Sequence, residues 1–350
     1  MNFNTDSIPR TLCILRLSAI GDICHLLPVV RSLQHYWPQT KLTWIVGKQE
    51  HNLVGDIPGI EFIIFDKSKG WAAYKNLYQQ LRGRHFDVLL HMQMSLRASI
   101  ASRLIPADIR LGFDRKRAND LQWLFTNKKI PHVDKQHVVD SFFGFIETLG
   151  IHERVLKWDI PISESTHKQV KKLLPKTPYV VISPCSSMAY RNWTIEGYAA
   201  VAKHITEKYG KAIVLTGGPS EIEREYGNKI TALCQPPPTN LIGKTSLKEL
   251  LAVIDHAEVV IAPDSGPAHM ATAVNTPVIG LYACTNPDRA RPYKSARWVI
   301  DKYHEAIQAE YNKTVDQLSW GIRVRKTGTM DRISVADVTN MFDKFHNHRL

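Results

Sequence analysis

Thr11-Leu12-Cys13-Ile14-Leu15-Arg16-Leu17-Ser18-Ala19-Ile20-Gly21-Asp22 decides the fold: an apolar run enters a Ser-Ala-Ile-Gly-Asp turn, and a helical pattern follows. The run from Thr11 to Leu17 is continuous rather than alternating, as in a strand covered on both faces. Beyond the turn, Ile23, Leu26, Leu27, Val30 and Leu33 recur at helical spacing, with Pro28 inside the pattern as a kink or as the start of its regular part. Strand and helix keep alternating: strands at 41–46, 62–65 and 87–91, helices at 51–54, 71–82 and 138–149, the last closed by Gly150. After a Pro-bearing stretch, 151–176, the pattern restarts with strands at 179–183, 211–215, 258–262 and 278–282 and helices at 195–209, 221–233, 247–254 and 267–274. Two such sets predict an α/β protein of two Rossmann-like domains, 1–165 and 166–330, facing each other across a cleft, with ligands at the carboxyl ends of the strands. Ser334 and Asp337 have the offset of an N-cap and its N3 partner, with Ile333 and Val338 placed as a staple, so a last helix is expected within 331–350, free to cross back onto the first domain.

Composition narrows the class. With 350 residues, 44% hydrophobic and 22% charged, the chain is neither disordered, collagenous nor coiled coil, and it is long enough for two or three domains with cores of their own. Its apolar runs fall far short of the roughly 18 residues that span a bilayer. The first ten residues lack a basic start followed by a long apolar core, so export is not expected. Five cysteines without a C-x-x-C pair suggest no disulfide framework and fit a reducing cytoplasm, and neither H-E-x-x-H nor another metal pattern is present, so no tightly bound metal is expected. The net charge is +12, and residues 97–129 hold eight basic against three acidic side chains, a patch suited to an anionic partner or to ordinary solvated surface.

Four loops at strand ends offer chemistry. In the first, Gly21 permits a positive φ or a close ligand approach, and Asp22 is placed to take a proton from a hydroxyl or simply to cap the helix. In Ala262-Pro263-Asp264-Ser265-Gly266-Pro267-Ala268-His269 a strand gives way to a helix start whose free N–H groups suit a diphosphate, while the same residues also suit a structural cap. Between them, Ser183-Pro184-Cys185-Ser186-Ser187 with Arg191 and Trp193 offers donors and a cation for phosphate, and Thr216-Gly217-Gly218-Pro219-Ser220-Glu221 presents Glu221 to a ribose diol. Neither G-x-G-x-x-G nor a P-loop occurs.

Taken together, segment 16–28, the 183–193 loop, 216–221 and 264–271 resemble the ADP-heptose:lipopolysaccharide heptosyltransferases, in order and spacing, over residues 11–300. The resemblance implies a GT-B fold, an inverting transfer without metal or other cofactor, and a lipid-linked acceptor at the inner face of the cytoplasmic membrane. It implies Asp22 as catalytic base, Ser186 and Arg191 at the donor diphosphate, Glu221 on the ribose, Asp264 on the heptose, and Ser265, Gly266 and His269 at the phosphate-binding helix start. The expected donor is ADP-heptose and the expected acceptor Kdo-lipid A, as in a first-heptose enzyme. A second-heptose enzyme, or another ADP-sugar transferase of the family, is the neighbouring alternative. Arg115, Lys116 and Arg117, in the basic segment, are candidates for holding the acceptor and the anionic membrane surface. A non-enzymatic nucleotide or nucleic-acid binder ranks lower: only Phe113, Trp123 and Phe125 are aromatic within that segment and no nucleic-acid module appears, so no nucleic-acid partner is expected.

Overall fold

The computed structural model describes residues 8–349, so most of the stretch read for an export signal lies outside the described residues. The chain divides into two compact units, one ending at Pro161 and one beginning at Ile162. The expected boundary at 165 falls inside a helix, Glu164–Lys171, which Ser163 caps by accepting from the Thr166 N–H at 3.1 Å. That helix buries only Val170, so no apolar stripe marks it in the sequence.

The first unit is a six-stranded parallel sheet of β1 (Thr11–Leu15), β2 (Lys41–Gly47), β3 (Ile60–Phe65), β4 (Phe86–His91), β5 (Ala107–Gly112) and β6 (Lys128–Lys129). The order β3-β2-β1-β4-β5-β6 puts β1 at the centre, with Leu12 paired to Leu42 on one side and Val88 on the other. Leu12, Cys13, Ile14 and Leu15 are wholly buried, which is why this strand reads as a continuous apolar run. The strand order reverses between β1 and β4, and the loops leaving these two strands, 16–22 and 92–95, share the carboxyl end of the sheet.

The helix after β1 spans Ile20–Tyr36 without interruption despite Pro28. Proline has no N–H for the carbonyl four residues back, that of Cys24; the buried Trp158 indole donates to it instead, at 2.8 Å.

The second unit repeats the design. Its strands are β7 (Tyr179–Ile182), β8 (Ala212–Leu215), β9 (Thr239–Asn240), β10 (Val260–Pro263), β11 (Val278–Tyr282) and β12 (Val299–Asp301), in the order β12-β11-β10-β7-β8-β9, all parallel. The order reverses between β7 and β10, whose carboxyl ends lead into the Ser183 and Asp264 loops. The expected last helix is present at Val335–Arg349: Asp337 accepts from the Ser334 N–H at 2.8 Å, and Ser334 Oγ accepts from the Asp337 N–H at 3.1 Å. Its apolar face does not read as a crossover. Val338, Phe342 and Phe345 join Trp298, Tyr198 and Ile205 in the second unit's core.

Candidate active site

In the first unit the turn after β1 is fixed from the neighbouring strand. Gln93, just beyond β4, accepts through Oε1 from the backbone N–H groups of Leu17 (2.6 Å) and Ser18 (3.2 Å) and donates through Nε2 to Ser18 Oγ at 3.3 Å. Arg16 runs under the turn, donating to the Met92 carbonyl at 2.6 Å and lying 5.3 Å from the Phe142 ring centre. Gly21 is helical and does not use a positive φ.

Asp22 is not the N-cap. Ala19 holds that position and Asp22 stands at N3, where its Oδ2 accepts from the Ala19 N–H at 3.3 Å and pairs with Arg16 Nη2 at 2.5 Å. Both contacts go to the same oxygen. Oδ1 has no protein partner among the described residues, and the side chain is 36% exposed. A carboxylate anchored by one oxygen and open at the other is oriented to accept a proton from a bound hydroxyl.

In the second unit, Asp264 ties together the two loops at the strand-order reversal. Its Oδ2 lies 3.0 Å from Arg191 Nη1, which also donates to the Asp264 carbonyl at 3.2 Å, and its Oδ1 lies 3.4 Å from His269 Nε2. Burial would push the Asp264 carboxyl up, but hydrogen bonds with His269 and Thr285 and the Arg191 charge outweigh it and hold the group below the usual carboxylate range. Ser265 is the N-cap of the Gly266–Ala273 helix, yet its buried Oγ makes no hydrogen bond. Arg191 Nε is likewise buried without a partner. A free hydroxyl, a free guanidinium N–H and a helix start together form an electropositive, donor-rich edge suited to a diphosphate.

The other two loops divide. Ser186 Oγ accepts from the Met188 N–H at 3.1 Å, and the Ser186 backbone N–H donates to Asn192 Oδ1 at 2.8 Å, so this residue shapes the turn that carries Arg191. In the 216–221 loop the close contacts belong to Glu223, which accepts from the Gly218 N–H at 2.7 Å and from Ser220 Oγ at 2.5 Å. Glu221 stands exposed at the first position of its helix, and Thr216 Oγ1 is buried without a partner at the end of β8. Sequence reasoning passed over Gln93, and also Thr285, Arg289 and Arg323, which line a small cavity with Asp264; no local motif marks them, because strand order rather than spacing brings them there.

Within the basic segment the three candidates separate. Arg117 is tied to the buried Asp114 carboxylate and donates to Gln136, Ser141 and the Pro131 carbonyl. Arg115 and Lys116 are exposed, and the Arg115 guanidinium lies 4.9 Å from the Trp123 ring centre.

Two parallel-sheet Rossmann-like units with these loops define a glycosyltransferase fold, and solved structures agree. A glycosyltransferase family 9 protein from Veillonella parvula DSM 2008 superposes with a TM-score of 0.80 at 21% identity, over 97% of this chain and 98% of that one. The E. coli ADP-heptose lipopolysaccharide heptosyltransferase II does so with 0.73 at 19% identity, over 97% and 99%. In sequence the chain is 44% identical over 337 residues, 96% of this chain and 97% of the relative, to the lipopolysaccharide core heptosyltransferase OpsX of Haemophilus influenzae, and 28% identical to an Escherichia coli lipopolysaccharide heptosyltransferase 3 over 79% and 84%. Residues 74–319 match the model of glycosyltransferase family 9 (heptosyltransferase). The chain belongs to that family and is a glycosyltransferase, as the four loops imply.

Proposed function

We propose that this enzyme is a lipopolysaccharide core heptosyltransferase that moves L-glycero-D-manno-heptose from ADP-heptose to Kdo of the inner core, with inversion at the anomeric carbon and without a metal ion. Similarity at 44% identity over nearly the full length to a protein named for that core activity supports the substrate class. One observation carries the chemistry: the open Oδ1 of Asp22, beside an Oδ2 held by Arg16 and the Ala19 N–H. Asp22 takes the proton of the attacking acceptor hydroxyl. Arg191, Ser265 Oγ and the N–H groups at the start of the Gly266–Ala273 helix meet the charge that develops on the departing ADP, the task a divalent ion performs elsewhere. Glu221 is free to reach the ribose, and Asp264 sets the cation and the helix start in register.

The acceptor is a lipid, and the enzyme works at the cytoplasmic face of the inner membrane. No helix among the described residues is long and apolar enough to cross a bilayer. Exposed Leu121, Trp123 and Leu124 stand in the same basic segment as Arg115 and Lys116, a composition that suits an anionic headgroup layer.

Incubation with ADP-heptose and Kdo-lipid A is expected to add the mass of one heptose, with turnover surviving EDTA. No product on any core acceptor overturns the reading, and a strict need for added Mg²⁺ overturns the metal-free mechanism. Product only on an already heptosylated core supports transfer of a later heptose, the reading favoured by the E. coli heptosyltransferase 3 relative.

A further inference from the structure

We propose a second site, outside the transfer chemistry: a surface zinc clamp made by His167, His256 and Asp255. His167 lies on the Glu164–Lys171 helix, while Asp255 is the last residue of the Leu247–Asp255 helix and His256 its C-cap. The two helices pack side by side, although 89 positions separate the two histidines, which is why no sequence pattern reveals the cluster.

The geometry is that of a nearly formed chelate. His167 Nδ1 and His256 Nε2 are 3.1 Å apart with their rings edge to face, and an Asp255 oxygen completes a set whose ligand atoms all lie within 4.8 Å of one another. Two imidazole nitrogens on a tetrahedral zinc at the usual bond length sit about 3.3 Å from each other. A small ring rotation therefore turns both lone pairs onto one ion. Without metal, one facing ring nitrogen carries the proton and donates to the other; with metal, that proton moves through solvent to the same ring's second nitrogen, so both facing nitrogens present lone pairs and both ligands stay neutral. Two nitrogens and one carboxylate favour zinc over the oxygen-seeking Mg²⁺ and Ca²⁺, and exposure of Asp255 and His256 leaves room for water as the fourth ligand. The neighbouring cation Lys168 is engaged by Glu164 at 3.3 Å.

The clamp sits at the amino end of the sheet's central strands, opposite the loops proposed to bind the donor. Asp255 and His256 precede β10, and Tyr179, the first residue of β7, donates to the Val253 carbonyl at 2.7 Å; the donor loops follow the carboxyl ends of these same strands. Zinc here joins the entry helix of the second unit to a helix about ninety residues later and stabilises that unit by mass action, without touching the chemistry.

Zinc titration of the full chain, followed by calorimetry and thermal melting, tests this. One zinc per chain is expected, with Tm raised by about 5 °C or more at a hundredfold excess over Kd. Affinity should fall roughly tenfold or more in His167→Gln and in His256→Gln, and less in Asp255→Asn. In the Co²⁺-loaded wild-type protein, paramagnetically shifted imidazole signals should come from two histidines, a readout that needs no variant to fold. Absence of binding, or unchanged affinity in the His167→Gln/His256→Gln double variant, overturns the proposal. Transfer activity should be equal with and without zinc.

Discussion

Two aspartates beyond the carboxyl ends of central strands, β1 and β10, show how surroundings set a role. Asp264 has both oxygens engaged and is nearly buried, so it holds other groups in place; Asp22 has one oxygen tied and one open, so it is available to a ligand. Asp22→Asn keeps the shape and the Ala19 contact but loses the basic oxygen. Turnover should fall about 10²–10⁴-fold while ADP affinity stays nearly intact, because the loops proposed to bind the donor belong to the other unit. The Arg16 side chain is only 10% exposed, so losing its partner's charge should lower the melting temperature somewhat, and the rate is compared below that temperature on folded protein. Kinetics together with ADP calorimetry check this; a near-normal rate in a folded variant removes Asp22 as base. Asp22, Arg191 and Asp264 were legible because each follows an apolar strand, whereas Gln93 was not, since it reaches the β1 turn only through the pairing of β1 with β4.

At the scale of elements, the sequence pattern locates buried strands and amphipathic helices and misses those that lack a stripe. β5, with alternating partial burial, and the two-residue β6 and β9 carry no run to read, and the Glu164–Lys171 helix buries a single residue. The helix across Pro28 also depends on a distant residue. Trp158→Phe removes the indole N–H that donates to the Cys24 carbonyl and should cost about 1–3 kcal/mol by urea unfolding. The loss should shrink when Pro28→Ala restores the helical N–H, and an equal loss in both backgrounds would refute the substitution of one donor for the other. The last helix is clasped similarly. Asp343 accepts from His204 (2.7 Å), Lys208 (2.6 Å) and Tyr209 (2.8 Å); burial alone would raise its pKa, but these bonds bring it from 3.8 to about 2. A depressed carboxyl stabilises the fold above its unfolded pKa and loses that contribution as pH falls toward the folded one. Asp343→Asn should therefore cost about 2 kcal/mol at pH 7 and roughly half as much at pH 3. A gap that does not change with pH would show that the clasp works through packing rather than charge.

Over the whole molecule, charge is shared evenly while its local density is not. Up to Pro161 there are 21 basic and 15 acidic residues, and beyond it 24 and 18, so each unit carries +6. In the first unit nearly all of that excess lies in 97–129, and the structure divides it into internal and external parts. Arg117 neutralises the buried Asp114, whose carboxyl burial would raise but whose bonds to Arg117 and His132 hold low. Arg115 and Lys116 face solvent in the segment that also exposes Leu121, Trp123 and Leu124. Arg117→Gln should accordingly destabilise the fold by about 3 kcal/mol by stranding a buried carboxylate, and its kinetics would be uninformative about the acceptor. Arg115→Gln/Lys116→Gln should leave Tm unchanged, raise the KM for Kdo-lipid A, and weaken binding to anionic vesicles by about 1 kcal/mol per charge removed. Because the attraction acts through solvent, the difference from wild type should be largest at low salt and fade as the Debye length contracts toward about 8 Å at physiological ionic strength. The donor KM should not move, since the loops proposed to bind ADP lie on the second unit. Vesicle co-sedimentation and both KM values, measured at low and moderate salt, decide the outcome: an unchanged acceptor KM with unchanged vesicle binding makes these two side chains ordinary solvated surface, and a raised donor KM reassigns them to the nucleotide sugar.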